Sequence, residues 1–169
     1  LCQESRLESY EQYLDGRTPQ PVEAEPIQLE GEAATFKSHP TLYALADLSS
    51  CVTSPYDPRK ALLNTIGGEN WSDKGQWMEW EFDVKTAGFY QLSFRVKQNY
   101  KSGSFSVRRL YLDDEVPFEE ASDIRFVYNL GWSIVTMGGD TPRYLWLDEG
   151  PHTIRLEVVY GGFTEICAE

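Results

Sequence analysis

Apolar and polar side chains alternate through the middle of this chain. Met78, Trp80, Phe82 and Val84 alternate with Trp77, Glu79, Glu81 and Asp83. After Lys85-Thr86-Ala87-Gly88 the pattern resumes, with Tyr90, Leu92, Phe94 and Val96 set against Gln91, Ser93, Arg95 and Lys97. Period two is the mark of a strand with one buried face. Two such runs joined by a short glycine-containing link predict an antiparallel hairpin over 77–96. Residues 105–112 form a third run, whose register breaks near Arg108-Arg109 and predicts a bulge. Asp113-Asp114-Glu115 follows as a turn. Ile124, Phe126, Tyr128, Trp132 and Ile134 come next, interrupted by Asn129-Leu130-Gly131. Residues 144–147 and 154–160, on either side of Asp148-Glu149-Gly150-Pro151, predict a second hairpin. Strands at this spacing, separated by turns, predict an all-β sandwich.

The flanks read differently. Leu7, Tyr10 and Leu14 recur at helical spacing among charged residues, so 1–16 reads as a short amphipathic helix stopping near Gly16. Pro19, Pro21 and Pro26 make 17–26 an extended linker, which puts the helix outside the main domain or on its flank. Ile27 and Leu29 share one face, and Gln28, Glu30 and Glu32 the other, as in a strand. Residues 33–75 are poorly patterned, with Pro40, Pro55, Pro58 and Gly67-Gly68, and read as long loops holding one or two short strands. The expected division is a flanking helix at 1–16, a linker at 17–26, a sandwich at 27–166, and at 167–169 the start of a truncated flanking segment. The tail from Thr164 is read as the beginning of a helix.

A length of 169 residues suits one sandwich with an appendage and suffices for a real core. The net charge of −12 disfavours nucleic acid and anionic membranes, because phosphate binding needs clustered Lys and Arg. Neutral ligands, cations and basic partners stay open. No run of eighteen apolar residues exists, so no membrane insertion is expected. The chain starts at Leu1 without a signal-peptide pattern and reads as a fragment or processed product. Cys2, Cys51 and Cys167 show no metal-ligand spacing. Cys2 and Cys167 can pair only if the termini meet, and Cys51 is expected to be a buried free thiol.

Catalysis finds little support. His39 and His152 stand alone in loops and are read as structural. No nucleophile elbow, P-loop or dinucleotide motif is present, and no enzyme activity is expected. Glu30-Gly31-Glu32 is more specific. Two carboxylates at i and i+2 of a strand point to one side and suit Ca²⁺, with Glu165 as a third if the terminal strands are neighbours. The alternative is an exposed acidic strand face. Trp71, Tyr128, Trp132 and Phe163 are among the aromatics outside clear core positions. Such rings stack on sugar faces in pockets that combine apolar walls with a few polar groups, or else anchor loops on the core.

Gly75-Gln76-Trp77-Met78-Glu79-Trp80, with Ala87-Gly88-Phe89-Tyr90-Gln91-Leu92 and Arg95, resembles the central hairpin of family 6 and family 35 carbohydrate-binding modules. Leu147-Asp148-Glu149-Gly150-Pro151-His152-Thr153-Ile154-Arg155-Leu156 is similar to their late hairpin. Residues 27–33 look like their opening strand, whose E-x-E pair binds structural calcium. The resemblance implies a galactose-binding-like jelly roll over 27–166 with calcium on Glu30, Glu32 and Glu165. It implies a noncatalytic module for a neutral glycan or glycoside. The sugar would be held by loop residues: Trp132 in the position of the family's stacking indole, with Trp71, Asn64, Tyr128 and Phe163. It also implies an extracellular or cell-surface bacterial setting beside flanking domains of the same polypeptide. The family's final N-x-D is replaced by Phe163-Thr164-Glu165. That change favours the alternative, a structural or interaction domain that positions a neighbour and binds no sugar.

Overall fold

Two antiparallel sheets pack face to face in a computed structural model whose described residues are 6–100, 102–160 and, for the backbone alone, 164–167. The strands are β1 (Phe36–Lys37), β2 (Ala44–Leu45), β3 (Thr65–Gly68), β4 (Trp77–Val84), β5 (Gly88–Gln91) and β6 (Ser93–Lys97). They continue with β7 (Phe105–Leu112), β8 (Ile124–Val127), β9 (Ser133–Thr136), β10 (Tyr144–Leu147), β11 (Gly150–Tyr160) and β12 (Thr164–Cys167). One sheet runs β1-β4-β11-β7-β8 and the other β2-β3-β12-β6-β9, with a two-stranded ribbon β10-β5 beside them. The fold is an all-β jelly-roll sandwich. Met78, Trp80, Leu110, Phe126, Ile154 and Leu156 from the first sheet meet Ile66, Phe94 and Val96 from the second in one buried core. Phe94 packs edge-on to Phe126 with ring centroids 5.6 Å apart.

Both expected hairpins are replaced by arches. β4 pairs with β1 and β11, β5 pairs with β10, and β6 with β12 and β9. Val84 lies opposite Gly150, and Gly88 opposite Leu147. The links at 85–87 and 148–149 therefore run side by side, each carrying the chain from one layer to the other. Alternation fixes which face a strand buries and leaves its neighbour open. Two runs facing one core from opposite sides give the same pattern as a hairpin. β8 and β9 repeat the move, since Ile124–Val127 pairs with β7 and Ser133–Thr136 with β6.

Three further expectations shift. Residues 27–30 form no ladder, and Gly31–Ala33 is a 3-10 turn. The Trp80 indole donates to the carbonyls of Glu30 at 3.2 Å and Gly31 at 3.0 Å, which turns those groups toward β4 rather than toward a neighbouring strand. The tail is a strand, with β12 lying between β3 and β6 where its pairing satisfies both. The irregularity expected near Arg108 falls on the facing strand, between Val158 and Tyr160 of β11.

The N-terminal helix α1 (Tyr10–Leu14) is shorter than expected and opens with a capping box between Ser9 and Gln12. Tyr10 and Tyr13 pack on Phe118 at 4.9 and 5.1 Å. Their hydroxyls accept from the backbone N–H of Tyr144 and Trp146, each at 2.8 Å. These are alternate donors on the edge of β10 that its partner β5 does not reach. Residues at i and i+3 of a helix match that spacing, and the edge is covered rather than left open. The chain then follows β5, where Val22 donates to the Phe89 carbonyl at 3.0 Å.

Candidate functional site

Paired residues of antiparallel strands share a face. Phe94 and Val96 of β6 enter the core, so Arg95 and Lys97 lie on the opposite face, and Ile134 of β9 shares it opposite Arg95. The segment 46–64 between β2 and β3 folds toward this face and delivers Asp47. Its carboxylate forms an ion pair with the Lys97 ammonium and accepts from the Trp132 indole N–H at 3.2 Å. The Lys97 ammonium also stands 5.1 Å from the centre of the Trp132 ring. Asp47 and Lys97 are each only 8% exposed, whereas Trp132 is half-buried. Burial pushes the Asp47 carboxyl up, but hydrogen bonds from Lys97 and Ser49 outweigh it and hold the group below the usual carboxylate range. The result is an indole fixed in orientation by a charge pair of zero net charge, at the edge of a loop.

Asn64 belongs to this cluster but cannot meet a ligand. It is 0% exposed. Its Oδ1 accepts from Asp47 N–H at 2.8 Å, and its Nδ2 donates to Asp47 O and Thr53 Oγ1, each at 2.9 Å, and to Pro55 O at 3.0 Å. The amide is spent on stitching the 46–64 loop, and through that loop it sets Asp47. Trp71 is likewise corrected. It is 0% exposed, donates its indole N–H to Gln76 O at 3.3 Å, and stacks under the Arg108 guanidinium at 4.1 Å. Its length of loop plugs the core instead of lining a cleft. Burial lowers the Arg108 guanidinium to about 9. Tyr128 is half-buried at the start of the 128–132 loop and donates its N–H to Ser104 O at 3.0 Å. Phe163 lies outside the described residues.

The two carboxylates of the acidic pair sit in the 3-10 turn and its cap, beside β3 and β12. Glu30 Oε2 and Glu32 Oε2 are both buried without a hydrogen-bond partner. Burial and then the charge of Glu30 push the Glu32 carboxyl above its usual range. Two orphaned anionic oxygens in one turn are costly unless a cation or a proton compensates them. The donor set is hard oxygen, the kind Ca²⁺ takes. Glu165 lies opposite Gly67 and Lys97 in the backbone register, and its side chain is outside the described residues. Among the described residues no group of three acidic, histidine or cysteine side chains is poised around one point.

No family model matches the chain, and no curated protein matches it. Solved structures do. A family 35 carbohydrate-binding module from Clostridium thermocellum aligns at a TM-score of 0.60 and 16% identity, covering 86% of this chain and 95% of that one. A family 6 module of a marine laminarinase from Zobellia galactanivorans aligns at 0.52 and 13%, covering 84% and 94%. A cycloisomaltooligosaccharide glucanotransferase from Paenibacillus, complexed with cycloisomaltoheptaose, aligns at 0.61 and 22%, covering 88% of this chain but 18% of that one. The chain has the jelly-roll fold of family 35 and family 6 carbohydrate-binding modules. It spans a small part of the enzyme and nearly all of each of the two module structures.

Within that fold, Asp47 and Lys97 are the residues of the candidate site that sequence reasoning missed. Lys97 carried a weak signal, a cation on the polar face of a strongly alternating strand. Asp47 carried none, because its loop has no period. Cys51, expected to be buried, is a free thiol exposed in the same loop, held at the surface by a turn. Both histidines are tied to neighbours: His39 bonds Ser38 Oγ, and His152 bonds Asp113 Oδ2 at 2.6 Å and Asp148 O at 2.9 Å.

Proposed function

We propose that this domain is a noncatalytic carbohydrate-binding module that takes a neutral glycan or glycoside against Trp132. The observation that carries this reading is the partly exposed indole, locked by Asp47 and Lys97 on a loop of a carbohydrate-module fold. A fixed ring presents a flat apolar surface to a sugar face at little entropic cost. The buried charge pair is neutral as a whole, and a chain of net charge −12 repels acidic polymers, which together favour an uncharged ligand. Tyr128 and Phe163 are proposed as flanking contacts. Glu30, Glu32 and Glu165 are proposed to hold a structural Ca²⁺, supported by the two orphaned oxygens of the acidic turn. The module is proposed to act beside flanking domains of a larger bacterial protein outside the cytoplasm, a setting that fits the 18% share it covers of the glucanotransferase.

Titration with a panel of neutral oligosaccharides, followed by tryptophan fluorescence, tests the reading. Trp132→Ala should weaken binding by about 1–3 kcal/mol, the range for one base stacked on one aromatic ring, while the fold survives. A specific observation favours the second reading, a structural domain that positions its neighbour: Trp71 and Asn64 are both sealed inside the fold. Absence of binding across the panel selects that reading.

A further inference from the structure

A cavity of about 300 Å³ lies between the layers, on the inner side of the sheet whose outer face carries Trp132. Trp80 and Ile154 wall it from one sheet, and Leu92, Phe94 and Leu145 wall it from the other side. The cavity opens to solvent beside Ile27. Its wall is mostly apolar with Gln91, Ser93 and Arg95 interspersed, so water held in it makes few hydrogen bonds and an apolar occupant displaces that water favourably. An engineered apolar cavity of about 150 Å³ already takes up benzene. The size and the lining therefore point to an occupant.

The shape says what kind. The lining follows β5 and β6 from Tyr90 to Arg95, but only Trp80 to Phe82 on β4 and Ile154 to Leu156 on β11. Six residues of strand extend about 16 Å, so the cavity is long and narrow. That length suits a single hydrocarbon chain of about twelve carbons rather than a fused ring system.

The way in is also built. Pro26 and Ile27 form the roof with Leu29, and Ile27 is 37% exposed. Residues 25–30 donate no backbone–backbone hydrogen bond among the described residues. Among the described residues its hydrogen bonds to the strands lie at its ends, from Val22 to the Phe89 carbonyl and from the Trp80 indole to Glu30 and Gly31, while Leu29 packs on the core. A segment with so few bonds opens at low free-energy cost. We propose that the domain binds one medium-length acyl chain between its sheets, with the polar head at the mouth beside Ile27 and Gln91.

Straight-chain carboxylates from six to fourteen carbons, each below its micelle-forming concentration, are titrated into the intact chain by calorimetry. Saturable one-to-one binding is expected, tightening about fourfold per methylene up to about twelve carbons and levelling beyond. Leu92→Trp fills the cavity and should weaken decanoate at least tenfold while raising the melting temperature. Ile27→Asp puts a charge on the exposed roof, leaves the core untouched, and should weaken decanoate similarly, so the test stands even if Leu92→Trp does not fold. Trp132→Ala should leave decanoate binding unchanged, which separates this site from the sugar site. Absence of saturable binding, affinity independent of chain length, or full affinity in Ile27→Asp overturns the proposal.

Discussion

At the scale of single residues, the cluster around Trp132 depends on a buried ion pair. Removing one partner leaves the other charge stranded in a poorly solvated place, which costs about 3–5 kcal/mol. Lys97→Met and Asp47→Asn should each destabilise strongly, and the double variant should cost less than their sum. Denaturant unfolding of the four proteins reads that coupling directly. His152 supplies a pH dependence. Burial pushes its imidazole down, but the Asp113 carboxylate and the Asp148 carbonyl raise it above 6.5 overall. A base raised in the folded state contributes stability that is fully present below 6.5 and is lost as pH rises through the higher folded value. The stability gap between the native chain and His152→Gln should therefore shrink as pH rises from below about 6.5 through the higher folded value. The sequence marked His152 as structural and Trp132 as a loop indole. It concealed Asp47, because an acidic residue in an unpatterned loop looks like any other of the 27 acidic side chains.

At the scale of elements, strand existence was legible and strand partnership was not. The alternating runs near 77–84, 105–112 and 150–160 are each one strand, and the run at 88–97 is two, β5 and β6, because burial on one face imposes period two. The pairing of β4 with β11 and of β5 with β10 depends on contacts between about fifty and eighty positions apart, which no local pattern records. Short strands such as β1 and β2 have two residues each, too few to show a period. The N-terminal segment is anchored by Tyr10 and Tyr13, whose rings pack on Phe118 and whose hydroxyls bond β10, a pairing of contacts that an apolar stripe alone does not show. Gly88 is where that segment lies tightest. A Cβ there would stand 2.8 Å from Val22 Cβ. Gly88→Ala should cost about 1–3 kcal/mol by overpacking, and Val22→Gly should recover part of it. Equal losses with and without Val22 in thermal unfolding would show that the segment is not pressed on β5.

At the scale of the whole molecule, the buried acidic turn beside β12 calls for a compensating charge. The sandwich closes on β12, and the acidic turn packs beside it, so cation binding at the turn would tie the start of the domain to its last strand. Glu30 and Glu32 oppose each other in the metal-free protein, and their buried oxygens lack donors. Neutralising one should relieve that strain, and a bound divalent cation should relieve it further. In protein stripped of metal, Glu32→Gln should raise the melting temperature. In the native chain, Ca²⁺ at a hundred times its dissociation constant should add about 2.7 kcal/mol, because only the folded state assembles the ligands. Chelator should reverse the gain, and Glu32→Gln should abolish the response. If the turn were a solvated acidic face, neither the substitution nor the ion would move the melting curve, because charges free to hydrate need no counterion from the fold.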